Sequence, residues 1–217
     1  MTIYKDCADH LRVTYRQQTA GHLVAGHAHE LVAAFFGYGS GSALRTDFAY
    51  PVSQLPQADI LIPDLALMDA RRQKLAGLPD DLPTSDALAS AVCDFLRDAG
   101  HFSGERWLDR DLLDAINDFV QRDPMMIEED LNSEIATTNA YFDELYLDEV
   151  VAEPNDDALM VTINGALNGT NDEDRVFSGD KITFSTLMTF NRVAGRVGFA
   201  RPDLETSGYV DMSDYYE

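Results

Sequence analysis

Four side chains near the N-terminus, His22, His27, His29 and Glu30, are of the types that ligate a metal or move protons. A zinc-binding helix sets its histidines four residues apart so that both point one way. His27 and His29 are two apart, about 200° round a helix, and converge only on an extended segment. The apolar run at 31–36 followed by Gly37 favours a helix, so no metal is assigned here. Asn171-Asp-Glu-Asp174 offers calcium-type oxygens, but the 12-residue EF-hand loop with its closing Glu is absent, and an acidic turn is expected. No nucleophile elbow, P-loop or paired-Cys motif occurs. Cys7 and Cys93 are too few for a disulfide framework and read as buried, idle thiols. With 38 Asp and Glu in the chain, the closeness of any two says little about acid–base catalysis. No catalytic residue and no cofactor is therefore assigned.

Binding is better supported than chemistry. Between Asp111 and Asp180 the chain carries 19 acidic residues against Arg122 and Arg175, so this third holds −17 of a net −22. Salt adaptation also produces acidic proteins, but it spreads the charge over the whole surface, and local concentration favours a site. Asp111, Asp114 and Asp118 fall at i, i+3 and i+7, one stripe of a helix. Such a row approximates a line of phosphates as seen by a basic groove; a solvated helix face is the other reading. Glu128, Glu129 and Asp130 follow, then Asp143, Glu144, Asp148 and Glu149, with Tyr141 and Tyr146 interleaved. Tyrosine beside carboxylate suits a protein interface, because the ring supplies apolar area with a polar tip. Arg192, Arg196 and Arg201 form a contrary patch, read as internal partners for the acids or as a small anion site.

The elements that must position these residues change character along the chain. Ile3, Tyr4, Cys7, Ala8, Leu11 and Tyr15 recur at helical spacing, and further helices are expected over 27–36, near 65–75, from Thr84 or Ser85 to Gly100, over 107–121 and over 125–136. In the helix over 107–121, Leu108, Leu112, Leu113, Ile116, Phe119 and Val120 are expected to pack. From Tyr141 the period becomes two. Strands are expected at 145–151, 158–167, 181–190, 193–199 and 209–212, and no internal repeat is read. Helices followed by strands make an α+β fold, with a helical part at 1–137 and a mainly antiparallel β part at 138–217, separate or as one continuous domain.

The segment at 11–46, through His27-Ala-His-Glu-Leu-Val-Ala-Ala-Phe-Phe-Gly-Tyr-Gly-Ser-Gly-Ser-Ala-Leu44, resembles a short helical unit of bacterial glyoxalase-related proteins. The resemblance implies a helical start and a bacterial or mobile-element origin, and it transfers no catalytic residue.

No window is long and apolar enough for a membrane span and no signal peptide is read, so a cytoplasmic protein is expected. Its expected partner is a protein with a basic, nucleic-acid-binding surface. Direct nucleic-acid binding is disfavoured by like charge. The functional expectation is an inhibitor of anti-CRISPR or anti-restriction type. The competing expectation is an enzyme or small-ligand domain using the His22–Glu30 region or an interdomain cleft.

Overall fold

Ile3, Tyr4, Cys7, Ala8, Leu11 and Tyr15 lie on one face of helix α1 (Ile3–Thr19), and the last four of them are buried. The computed structural model describes residues 2–108, 110–171 and 179–212; the acidic turn expected at 171–174 falls largely on 172–178, outside the described residues. The chain divides into two compact units, Met1–Arg110 with Asn191–Arg201, and Asp111–Phe190 with Pro202–Glu217. The helices between residues 112 and 137 thus group with the strands.

In the first unit α1 is followed by α2 (Ala25–Phe35), α3 (Gly41–Thr46), α4 (Leu65–Lys74) and α5 (Ser85–Asp98). α2 is apolar almost all round and every residue from Leu31 to Phe35 is buried, as expected for a central helix. It ends at Gly37, whose φ of +83° is a conformation glycine adopts without strain. α5 starts where Thr84 accepts a bond from the Ala87 amide and stops before Gly100, as its sequence predicts. Leu88, Val92 and Leu96 of α5 join Leu11, Leu31, Phe35 and Met68 in one core. Burying each such side chain contributes about 1.5–3 kcal/mol. Two-residue strands β1 (Ile60–Leu61) and β2 (Glu105–Arg106) pair in parallel.

The second unit holds α6 (Leu112–Arg122), α7 (Met125–Glu128), a 3-10 turn at Glu129–Leu131 and α8 (Asn132–Thr137). Strands β3 (Ala140–Pro154), β4 (Ala158–Asn171) and β5 (Lys181–Ala194) follow. β5 leaves this unit after Phe190. Its end and β1 pair with β6 (Gly198–Phe199) in the first unit, and β7 (Asp203–Val210) returns to the second. The second unit's sheet runs β7-β5-β4-β3, with β3–β4 and β5–β7 antiparallel, so the α+β expectation is met. Ile182, Phe184, Thr186, Met188 and Phe190 share the buried face of β5, as their alternation predicts.

Several boundaries differ. The helix expected from residue 107 begins at Leu112 because Asp111 caps it, and Leu113, expected to pack, is 42% exposed. The single helix expected over 125–136 is broken in three; Asn132 bonds back to the Glu129 carbonyl, a side-chain alternative to regular helix. The strand expected over 193–199 is split: Val193 and Ala194 end β5, Gly195 at φ +56° turns the chain, and Gly198–Phe199 form β6.

Candidate acidic binding surface

Helix α6 has the clearest two-sided character in the second unit. Ala115, Ile116, Phe119 and Val120 are buried, which leaves Asp114 and Asp118, one turn apart, on the exposed face. Asp111 is not part of the helical stripe. It is extended, at φ −101° and ψ 111°, and its side chain accepts from the Leu113 amide. A carboxylate there also faces the positive end of the helix dipole. Asp130 has a structural bond as well: its carboxylate accepts from the Thr206 amide of β7 at 2.9 Å. Glu129 is exposed and Glu128 half-buried.

Among the described strands β3 pairs with β4 alone, and its register slips twice. Phe142 pairs with Gly169 and Glu144 with Asn168; Leu147 pairs with Gly165 and Glu149 with Asn164. Asp143 and Asp148 are the extra residues, so each forms a β-bulge. A bulge breaks strict alternation, and both Asp143 and Glu144, then both Asp148 and Glu149, are exposed. Tyr141 and Tyr146 are 72% and 49% exposed.

The two bulges fall in a tandem five-residue repeat, Tyr141-Phe-Asp-Glu-Leu145 and Tyr146-Leu-Asp-Glu-Val150. Opposite each copy stands a glycine of β4. A Cβ on Gly169 would lie 2.5 Å from the Tyr141 carbonyl, and one on Gly165 would collide with the Tyr146 carbonyl. The glycines permit the close backbone approach that accompanies the bulges. Successive Tyr-Asp-Glu groups therefore recur about 13–16 Å apart along the strand.

Hydrogen bonds hold parts of this row in place. The Tyr146 hydroxyl donates to Glu144 at 3.0 Å, and that acceptor pushes the phenol above its ordinary range. Asn164 donates to Glu149 across the hairpin at 3.2 Å. Gln121 of α6 donates to the Leu145 carbonyl of β3 at 2.9 Å, which ties the helix to the strand. Among the described residues none of the ten acids from Asp111 to Glu149 singled out by sequence is in an ion pair.

The first unit treats its charges differently. Glu30 pairs with Arg71 and also accepts from the Gly41 amide. Arg106 pairs with Asp94, and Arg110 bridges Asp69 at 2.9 Å and Asp86 at 2.6 Å. The Ser85 hydroxyl and Arg110 hold Asp69 below the usual carboxylate range, and Arg110 does the same for Asp86. His27 and His29 both sit on α2, two residues apart, with Glu30 already occupied by Arg71. No group of three or more His, Cys, Asp or Glu suited to a metal occurs among the described residues. Arg192, Arg196 and Arg201 also belong to this unit. The guanidinium of Arg192 lies 5.6 Å from the Tyr50 ring centre, and that of Arg196 lies 5.3 Å from the Tyr38 ring centre. No helix among the described residues is long and apolar enough to cross a membrane. Comparison with protein-family models, with curated proteins and with solved structures finds no match.

Proposed function

We propose that the second unit binds a basic, nucleic-acid-binding surface of a partner protein and displaces the nucleic acid that lies there. The observation that carries this reading is a row of carboxylates that form no ion pair among the described residues, on an exposed strand and helix, spaced by a repeat and interleaved with exposed tyrosines. Leaving like charges together costs stability through self-repulsion. An incoming Arg or Lys cluster relieves that repulsion and speeds encounter. Tyr141 and Tyr146 add apolar area and ring faces on which a guanidinium stacks. The repeat of about 13–16 Å matches four to five base-pair rises of a duplex, at 3.4 Å each. Such a protein fits an inhibitor of anti-CRISPR or anti-restriction type, carried by a mobile element and acting in the cytoplasm.

The test begins with capture of partners from nuclease-treated host lysate on the immobilised protein. A captured nucleic-acid-binding protein is then given a labelled duplex. The proposal expects the protein to release that duplex stoichiometrically, and the variant Asp114→Lys, Asp118→Lys, Glu144→Lys, Asp148→Lys to release none. Release that is the same with the variant would overturn the reading.

A further inference from the structure

The first unit contains a groove of about 420 Å³, lined by the start of α1 and the loop that follows α3. Ile3, Tyr4, Leu44, Phe48, Pro51 and Val52 make its walls mainly apolar. Small-molecule sites commonly enclose roughly 300–1,000 Å³ and combine apolar walls with a few placed polar groups. Phe48 is 85% exposed, so its ring offers apolar area to anything that enters.

Two charged residues line the groove, and only one is available. The Asp47 carboxylate accepts from the Tyr38 hydroxyl at 2.7 Å and from the Ala49 amide at 3.0 Å. Burial opposes its ionisation, but Tyr38, the Tyr50 and Ala49 amides and the nearby Arg196 together hold its pKa below the usual range. Its carboxylate is therefore engaged by Tyr38 and by amides of its own loop. Arg45 is exposed and, among the described residues, has no ion-pair partner. Thr2, Ile3 and Tyr4, at the start of α1, line the same space, and Asp6 in the first turn offsets part of that helix end's positive charge.

We propose that this groove binds a small aromatic monoanion, with its apolar body against Leu44, Phe48 and Val52 and its anionic group at Arg45. The site is independent of the acidic surface on the second unit. Nonspecific anion binding is opposed by the net charge of −22, which makes a saturable anion site informative.

The probes are 8-anilinonaphthalene-1-sulfonate and its uncharged relative N-phenyl-1-naphthylamine, titrated by fluorescence. The sulfonate is expected to saturate one site and to shift the methyl resonances of Ile3, Leu44 and Val52. Arg45→Gln should weaken the sulfonate roughly tenfold and leave the neutral amine unchanged, because only the charged bond is lost. Phe48→Ala should weaken both. Both positions are exposed, so near-UV circular dichroism should be unaltered. The proposal is overturned if there is no saturable binding, if the neutral probe binds as tightly as the sulfonate, or if Arg45→Gln changes nothing. Shifts confined to methyls of the second unit would overturn it equally.

Discussion

The first unit holds 13 basic and 14 acidic residues, and the second holds 3 basic and 24 acidic. Several arginines of the first pair with carboxylates, as in the bridge from Arg110 to Asp69 and Asp86. In the second, Asp114, Asp118, Asp143, Glu144 and Asp148 face solvent and, among the described residues, form no ion pair. Adaptation to salt acts on a whole surface and would load both units. The contrast points to a requirement particular to one unit, and the basic partner proposed above would supply it.

If the two units are energetically separate as well as differently charged, damage to one should spare the other. Ile116 is fully buried in α6, and Ile116→Ala should cost the second unit about 2–5 kcal/mol. Hydrogen exchange reads that loss. Cys93 reports on the first unit: burial pushes its thiol up to about 12, so it should resist thiol reagents until that unit opens. Labelling of Cys93 that accelerates in step with exchange in α6 would break the comparison.

Salt should separate the units by sign. Raising ionic strength from about 0.1 to 1 M shortens the screening length from about 10 to 3 Å. Repulsion in the second unit should fall and ion pairs of the first should weaken, each by on the order of 1 kcal/mol. Denaturant midpoints read from unit-specific exchange should move in opposite directions; movement together would contradict the charge map.

Acid gives the smallest effect. Asp47, Asp69 and Asp86 have pKa values depressed in the folded state. Their contribution to the first unit is present above the unfolded value near 4 and is lost as pH falls through the lower folded values. Stability of that unit should thus be flat from pH 7 to 5 and fall by a few tenths of a kcal/mol per group below about 4, since Asp69 and Asp86 pair with Arg110 at the surface and Asp47 is only half-buried. A fall centred near pH 6 would assign the loss to histidine instead.

Much of the fold was legible because it rests on periodicity. The stripe of α5, its Thr84 start and Gly100 stop, and the alternation of β5 all follow from residue spacing. The ten acids and two tyrosines were legible as types, but their arrangement was not. Bulges at Asp143 and Asp148 arise from pairing with β4, and the glycines that permit them are distant in sequence. The five-residue repeat was the available signal, and it is shorter than the periods that mark solenoids or propellers. The structural roles of Asp111 and Asp130 were hidden for the same reason, since an N-cap and a bond to Thr206 appear only when the chain is folded. The groove joins Ile3 to Arg45 and Val52, which no local pattern links.

The most direct measurement is the affinity of the captured partner for the protein and for its four-lysine variant at about 0.05 and 0.5 M salt. Binding that falls by at least two orders of magnitude with salt and is lost in the variant, with both proteins equally folded by circular dichroism, is the predicted result. Affinity that is indifferent to salt and to the four reversals would contradict an acidic interface.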